Sequence, residues 1–136
     1  MILTPCYVGA GTEVLVLHVV EPITYLPPPQ MGAGYASELE SRVKGGRKIV
    51  EQTVQKLRAA GFEADGAVEN GDIREKIIDT AAQWHADLIA MGSHGRRAVP
   101  RFVLGSVAED VARHAPYSVE IVRIPSLTEG LGKERK

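Results

Sequence analysis

Three short apolar runs constrain this chain more than any other feature: Val14-Leu-Val-Leu-His-Val-Val20, Asp87-Leu-Ile-Ala-Met91 and Val119-Glu-Ile-Val-Arg-Ile124. The first two are almost unbroken, the pattern of strands buried on both faces of a parallel sheet. The third alternates, placing Val119 and Ile121 on one face. A weaker strand is expected over Glu63–Glu69, around Ala64, Ala67 and Val68.

Helical spacing fills the intervals. From Ser37 to Ala60, apolar residues fall at Leu39, Val43, Val50, Val54 and Leu57 and make one helical face, with Gly61 as its stop. Gly45-Gly46 interrupts this helix. Each glycine costs about 1 kcal/mol relative to alanine, so the pair reads as a tolerated weak spot, with close packing or a kink as the other reading. A second helix is predicted from Ile73 to His85, capped by Asp72 with Glu75 completing a capping box and with Ile73, Ile77, Ala81 and Trp84 in the core. A third runs from Ser106 to His114, turns Val107, Ala108 and Val111 inward and ends at Pro116. Strands alternating with helices predict an α/β fold: an open, mostly parallel twisted sheet with helices on both faces.

The chain has 136 residues, the size of one domain with a core of its own, taken here as residues 1–136 with a flexible tail over 125–136. Basic and acidic residues number 16 and 17 and aromatics are 5%, which argues against nucleic acid as a partner. The single cysteine, Cys6, excludes an internal disulfide and a multi-cysteine metal site. No apolar run reaches membrane-spanning length and no signal-peptide pattern is present, so a cytoplasmic location is expected, without a membrane partner. The segment Glu21–Tyr35 holds four prolines and reads as a mobile flap.

The most informative stretch is Met91-Gly-Ser-His-Gly95, nine residues, then Gly105-Ser106. It leaves a buried strand and opens a helix, the place where open α/β sheets bind ligands. Glycines there let backbone N–H groups approach phosphate oxygens, and the helix start adds unpaired donors. Ser106 can donate its hydroxyl, and Arg96, Arg97 and Arg101 add positive charge suited to an anion. The bland reading is that Ser106 merely caps its helix, with Glu109 as capping-box partner, and that the glycines only make turns. The spacing fits neither the P-loop nor the dinucleotide fingerprint.

The motif Gly92-x-x-Gly95-(nine residues)-Gly105-Ser106 resembles the nucleotide-binding motif of the universal stress protein family. So do Asn70-Gly-Asp72, Ala86-Asp-Leu-Ile-Ala-Met-Gly92, Arg113-His-Ala-Pro116 and the run Val14–Val20, and the likeness extends over Val14–Arg123. It implies a five-stranded α/β fold, a homodimer paired through the last strand Val119–Ile124, and ATP or another adenine nucleotide as ligand, with Mg2+ accompanying the nucleotide. Carried over residue by residue, Gly92, Gly95, Gly105 and Ser106 would hold phosphates and ribose. The backbone of Val107 and Ala108 would continue that cradle, and Val19 and Met91 would flank adenine and ribose. His94 and Arg96 lie within the same loop and are included as candidate contacts. The resemblance implies a regulatory or stress-response role, with an as yet unidentified protein partner.

One departure stands out. The family opens with a strand ending in an aspartate that helps bind the nucleotide, but no aspartate precedes Asp65 here. Only seven residues, Cys6–Thr12, separate Pro5 from Glu13. A parallel crossover needs at least about ten to twelve, so Ile2–Pro5 cannot be a first parallel strand in a continuous chain. Either the first β-α unit is missing, or a segment has been lost between Pro5 and Cys6; the strand-like Ile2-Leu3-Thr4-Pro5 favours the second. No nucleophile–base pair is visible, so hydrolysis should be slow or absent and no catalytic residue is assigned. A protein-interaction dimer of this fold that binds no nucleotide is the alternative. An adenylating enzyme is disfavoured, because such enzymes carry a glycine-serine loop directly after the first strand.

His18, in a buried run, reads as a structural histidine, and His85 and His114 as helix-end residues. No two histidines have metal-ligand spacing. Tyr117 is a candidate dimer contact.

Overall fold

The computed structural model describes residues 2–4, 11–23, 33–93 and 104–123. In chain order the elements are β1 (Ile2–Thr4), β2 (Glu13–Val20), α1 (Ala33–Ala59), β3 (Glu63–Asn70), α2 (Ile73–Gln83), β4 (Leu88–Gly92), α3 (Ser106–His114) and β5 (Ser118–Val122). The strands form one sheet in the order β3-β2-β1-β4-β5. β2 pairs parallel with β3, and β4 with β5. β1 lies between the two pairs and runs antiparallel to both neighbours. Four of the five strands therefore share a direction, and the mostly parallel sheet is borne out.

The antiparallel course of β1 follows from the short link before β2, which is too short to carry the chain back for a parallel start. Its register sets Ile2 opposite Val16 and Ala90, and Thr4 opposite Leu88. The Pro5–Cys6 junction, where a lost segment was suspected, lies outside the described residues.

β2 explains its own composition. Val14 and Val16 face α1 and pack with Val50, Val54 and Ala64. Leu15 and Leu17 face the other way and pack with Ile77 and Ala81 of α2, Ile89 of β4 and Val111 of α3. Ile89, Ala81 and Val111 have no exposed surface. Burial of side chains such as Ile89 and Val111 contributes roughly 1.5–3 kcal/mol each. α1 covers one face of the sheet and α2 with α3 the other.

Several expectations shift by a residue or more. α1 begins at Ala33, so Gly34 and Tyr35 are helical rather than part of the proline-rich loop. α2 ends at Gln83 rather than His85, and β5 spans Ser118–Val122 rather than Val119–Ile124. Trp84 caps α2 at the rim of the core and is half-buried, not interior. Tyr117 packs against the same core cluster. Residues 24–32 of the proline-rich loop and the tail 125–136 lie outside the described residues. Among the described residues, no helix is long and apolar enough to cross a membrane.

The Gly45-Gly46 reading needs correction. A Cβ on Gly46 would stand 2.5 Å from Cδ2 of His18, whereas one on Gly45 would meet nothing within 4 Å. Gly46 is a packing residue, kept without a side chain so that α1 can lie over the His18 ring.

Both long helices end in the same hydrogen-bonded turn. The Phe62 N–H donates to the Leu57 carbonyl and the Gly61 N–H to that of Arg58. The Ala86 N–H donates to Ala81 and the His85 N–H to Ala82. This is the Schellman arrangement, which holds its central residue in the left-handed region. Gly61 supplies it without strain at φ +95°, but after α2 the position falls to His85 at φ +53°. Left-handed backbone costs a residue with a Cβ about 1 kcal/mol. His85→Gly should therefore raise the urea midpoint by a stability gain of about 0.5–1 kcal/mol with an unchanged m-value. Gly46→Ala should lower stability by about 1–2 kcal/mol, its overpacking outweighing the gain in helix propensity. In a His18→Ala background that loss should vanish.

Candidate functional site

β2, β3, β4 and β5 point their carboxyl ends to one edge of the sheet, at Val20, Asn70, Gly92 and Val122. α2 and α3 start at that same edge. Ligands of open α/β sheets bind there, and the two helix starts are chemically different.

α2 is closed. Asp72 caps it, and its Oδ1 accepts from the N–H groups of Arg74 at 3.0 Å and Glu75 at 3.1 Å. The carboxylate both satisfies the first donors and neutralises the helix dipole. α3 is open. Its N-cap is Gly105, at φ −60° and ψ 147°, with no side-chain hydrogen bond. The first helical N–H groups, on Ser106, Val107 and Ala108, have no intrahelical acceptors by helix geometry. Ser106 is the first helical residue and is exposed, so it is not the cap. Glu109 does not complete a capping box; it pairs with Arg113 at 2.7 Å. The bland reading of Ser106 is thereby overturned, and among the described residues no side chain caps the start of α3, with Ser106 exposed at the ligand edge.

The mouth of the glycine loop is fixed by two backbone bonds. The Ser93 N–H donates to the Val122 carbonyl at 3.0 Å, which carries the β4–β5 ladder one residue past Gly92. The Gly105 N–H donates to the Ser93 carbonyl at 2.8 Å, which ties the start of α3 to the end of β4. Ser93 is buried. The motif gave no reason to single it out, since it occupies one of the unspecified positions between Gly92 and Gly95.

Most of the expected site residues gather here. Gly92 ends β4 and is exposed, and Met91 beside it packs against the core of the α2–α3 face. Val19, one residue from the end of β2, packs against that same core. Val107 packs there too, and Ala108 is buried, so both can offer only backbone to a ligand. His94, Gly95 and Arg96, with Arg97 and Arg101, lie outside the described residues. Among the described cations at this edge, Arg74 is bound to Asp110 of α3 at 2.6 Å and Lys76 to Glu69 at 3.7 Å. The Arg74–Asp110 pair joins α2 to α3 and was not foreseen, because only the fold brings these helices together. His114 lies at the far end of α3, its Nδ1 2.9 Å from the Asp110 carbonyl oxygen.

No group of three or more potential metal ligands forms among the described residues. A cavity of about 440 Å3 opens at the opposite, amino-terminal edge, beside Glu13, Glu63 and Trp84, and belongs to no part of this site.

The model of the universal stress protein family matches residues 8–123. A universal stress protein of Methanothermobacter thermautotrophicus is 28% identical over 116 residues, 85% of this chain and 79% of that protein. One from Synechocystis is 32% identical over 85 residues, 62% of this chain and 55% of that protein. Among solved structures, a universal stress protein of Lactobacillus plantarum superposes with a TM-score of 0.73 at 24% identity, over 82% of this chain and 77% of that one. A family protein of Arabidopsis thaliana, solved with AMP bound, superposes with a TM-score of 0.56 at 20% identity, over 84% of this chain and 65% of that one. With the family model spanning most of its length and the fold agreeing, the chain belongs to the universal stress protein family.

Proposed function

We propose that this protein binds an adenine nucleotide at the carboxyl edge of the sheet, with ATP and its accompanying Mg2+ as the first candidate, and acts as a regulatory dimer in the cytoplasm. The observation that carries this reading is the uncapped start of α3 directly behind the closed mouth of the glycine loop. Backbone donors there, the Ser106 hydroxyl and the dipole suit a phosphate group, and the Gly105 N-cap adds no side chain of its own. The neighbouring helix start, filled by Asp72, repels the same anion. The AMP carried by the Arabidopsis relative supports the ligand class. Val19 and Met91 would then flank the base and ribose, with His94, Gly95 and Arg96 completing the loop. Turnover should be slow or absent, because no described residue at this edge is placed to activate water. The free edge of β5 is where a second copy would pair.

A second reading, an interaction dimer without nucleotide, is favoured by one observation. β1 runs the wrong way to bring a residue from its end to the ligand edge, since Thr4 sits opposite Leu88 at the start of β4. The family's aspartate has no stand-in there.

Calorimetric titration with ATP and Mg2+ separates the two. The nucleotide reading expects saturable binding near one site per chain, and a rise in melting temperature equivalent to about 2.7 kcal/mol at a hundredfold excess over Kd. Ser106→Ala and Gly105→Val should weaken that binding while leaving the unliganded melting temperature within a few degrees. No heat and no shift with the unaltered chain would establish the interaction dimer instead.

A further inference from the structure

The outer edge of β3 has the makings of a docking strand. Among the described residues β3 is the last strand on its side of the sheet; it is eight residues long and contains no proline. It pairs with β2 in unbroken register from Glu13 opposite Glu63 to Val20 opposite Asn70, without a bulge. Long straight edges are hazards that proteins usually blunt.

Two hydrogen bonds reveal which backbone groups face outward. The Gly71 N–H, at an odd-numbered position, turns inward to the Val20 carbonyl of β2. The Ala64 carbonyl, at an even-numbered one, accepts from Nε of Arg58 at 2.9 Å. The backbone groups of Ala64, Gly66 and Val68 therefore present an outward ladder.

The side chains beside this ladder differ between the two faces. On the α2 face stand Glu63, Asp65 and Glu69. On the other, Gly66 and Val68 border a groove of about 430 Å3 under Val50 and Val54 of α1. A strand added here would place one set of side chains along these carboxylates, of which Asp65 pairs with Arg58 and Glu69 with Lys76, and the alternate set in a groove lined by Arg47, Glu51 and Gln55 as well as Val50 and Val54.

Arg58 already makes such contacts within the chain. Its Nε bonds the outward carbonyl of Ala64, as an added strand's amide would, and its guanidinium pairs with Asp65 at 3.2 Å, as a basic side chain would. The pair is weakly held, with side chains 59% and 82% exposed, so displacing it costs little. A second copy of β3 fits poorly, because antiparallel self-pairing would set carboxylates against carboxylates.

We propose that the outer edge of β3 receives an extended, basic segment of a partner protein, with basic residues alternating with small ones, which joins the sheet by displacing Arg58. This is independent of the nucleotide reading, which concerns the carboxyl edge.

The test is calorimetric titration of the full chain with the peptide acetyl-(Lys-Val)4-amide. Saturable binding of one peptide per chain is expected, with none for acetyl-(Glu-Val)4-amide. Arg58→Ala should tighten binding by about threefold by removing the competitor. The Asp65→Lys/Glu69→Lys variant should weaken it by about tenfold or more. Two further probes, N-methylated on the valine or on the lysine amides, read the backbone ladder without altering the protein. Strand addition requires that one binds and the other does not. Equal binding of both or of neither, no binding of the parent peptide, or weaker binding by Arg58→Ala would overturn the proposal.

Discussion

The run Val14–Val20 carries apolar side chains on both of its faces, and the rest of the structure is arranged around that fact. Alternate residues of β2 feed two separate cores, one under α1 and one under α2 and α3. A strand buried on both sides needs strand neighbours for its backbone as well as cover for its side chains. β3 supplies one neighbour. The other is β1, only three residues long and running backward because the link to β2 is too short for anything else. Within the sheet β2 is therefore flanked on both sides, and four strands end together at one edge.

At that edge, local capping chemistry separates two otherwise similar helix starts. Asp72 fills one with a carboxylate, and Gly105 leaves the other open. The carboxylate at the first repels an anion, and the second keeps the dipole and backbone donors that suit one. Two backbone bonds through Ser93 hold the loop mouth, so the donors at the start of α3 are fixed relative to the end of β4. Such preorganisation lowers the ordering cost of binding. The carboxylates on β3 work in the opposite sense at the side of the sheet, where they disfavour self-pairing and draw Arg58 across an otherwise bare edge.

Much of this was legible in the residues. The strands, the helix over Ser106–His114, the stop at Gly61 and the cap at Asp72 all rest on short-range rules that need no tertiary contact. The crossover limit barred a parallel β1 only for a continuous chain and left a lost segment between Pro5 and Cys6 as the favoured reading, so the antiparallel β1 was not legible in the residues. The failures share a different cause. Ser106 looked like a cap because capping residues are recognised by type, yet the chain enters the helix one residue earlier. Gly46 looked like a weak spot because its reason is a histidine on another element, 28 positions away in sequence. Trp84 looked interior by periodicity, but the helix ends just before it.

The sequence by itself determined the alternation of strands and helices, the glycine motif and the family to which they belong, because hydrophobic period and turn chemistry act over a few residues. The tertiary structure alone decided the direction of β1, the pairing of Arg74 with Asp110, the contact of Gly46 with His18 and the exposure of the β3 edge. These depend on which distant segments pack together, and that is set by the closing of the two cores around β2 rather than by any local run of residues.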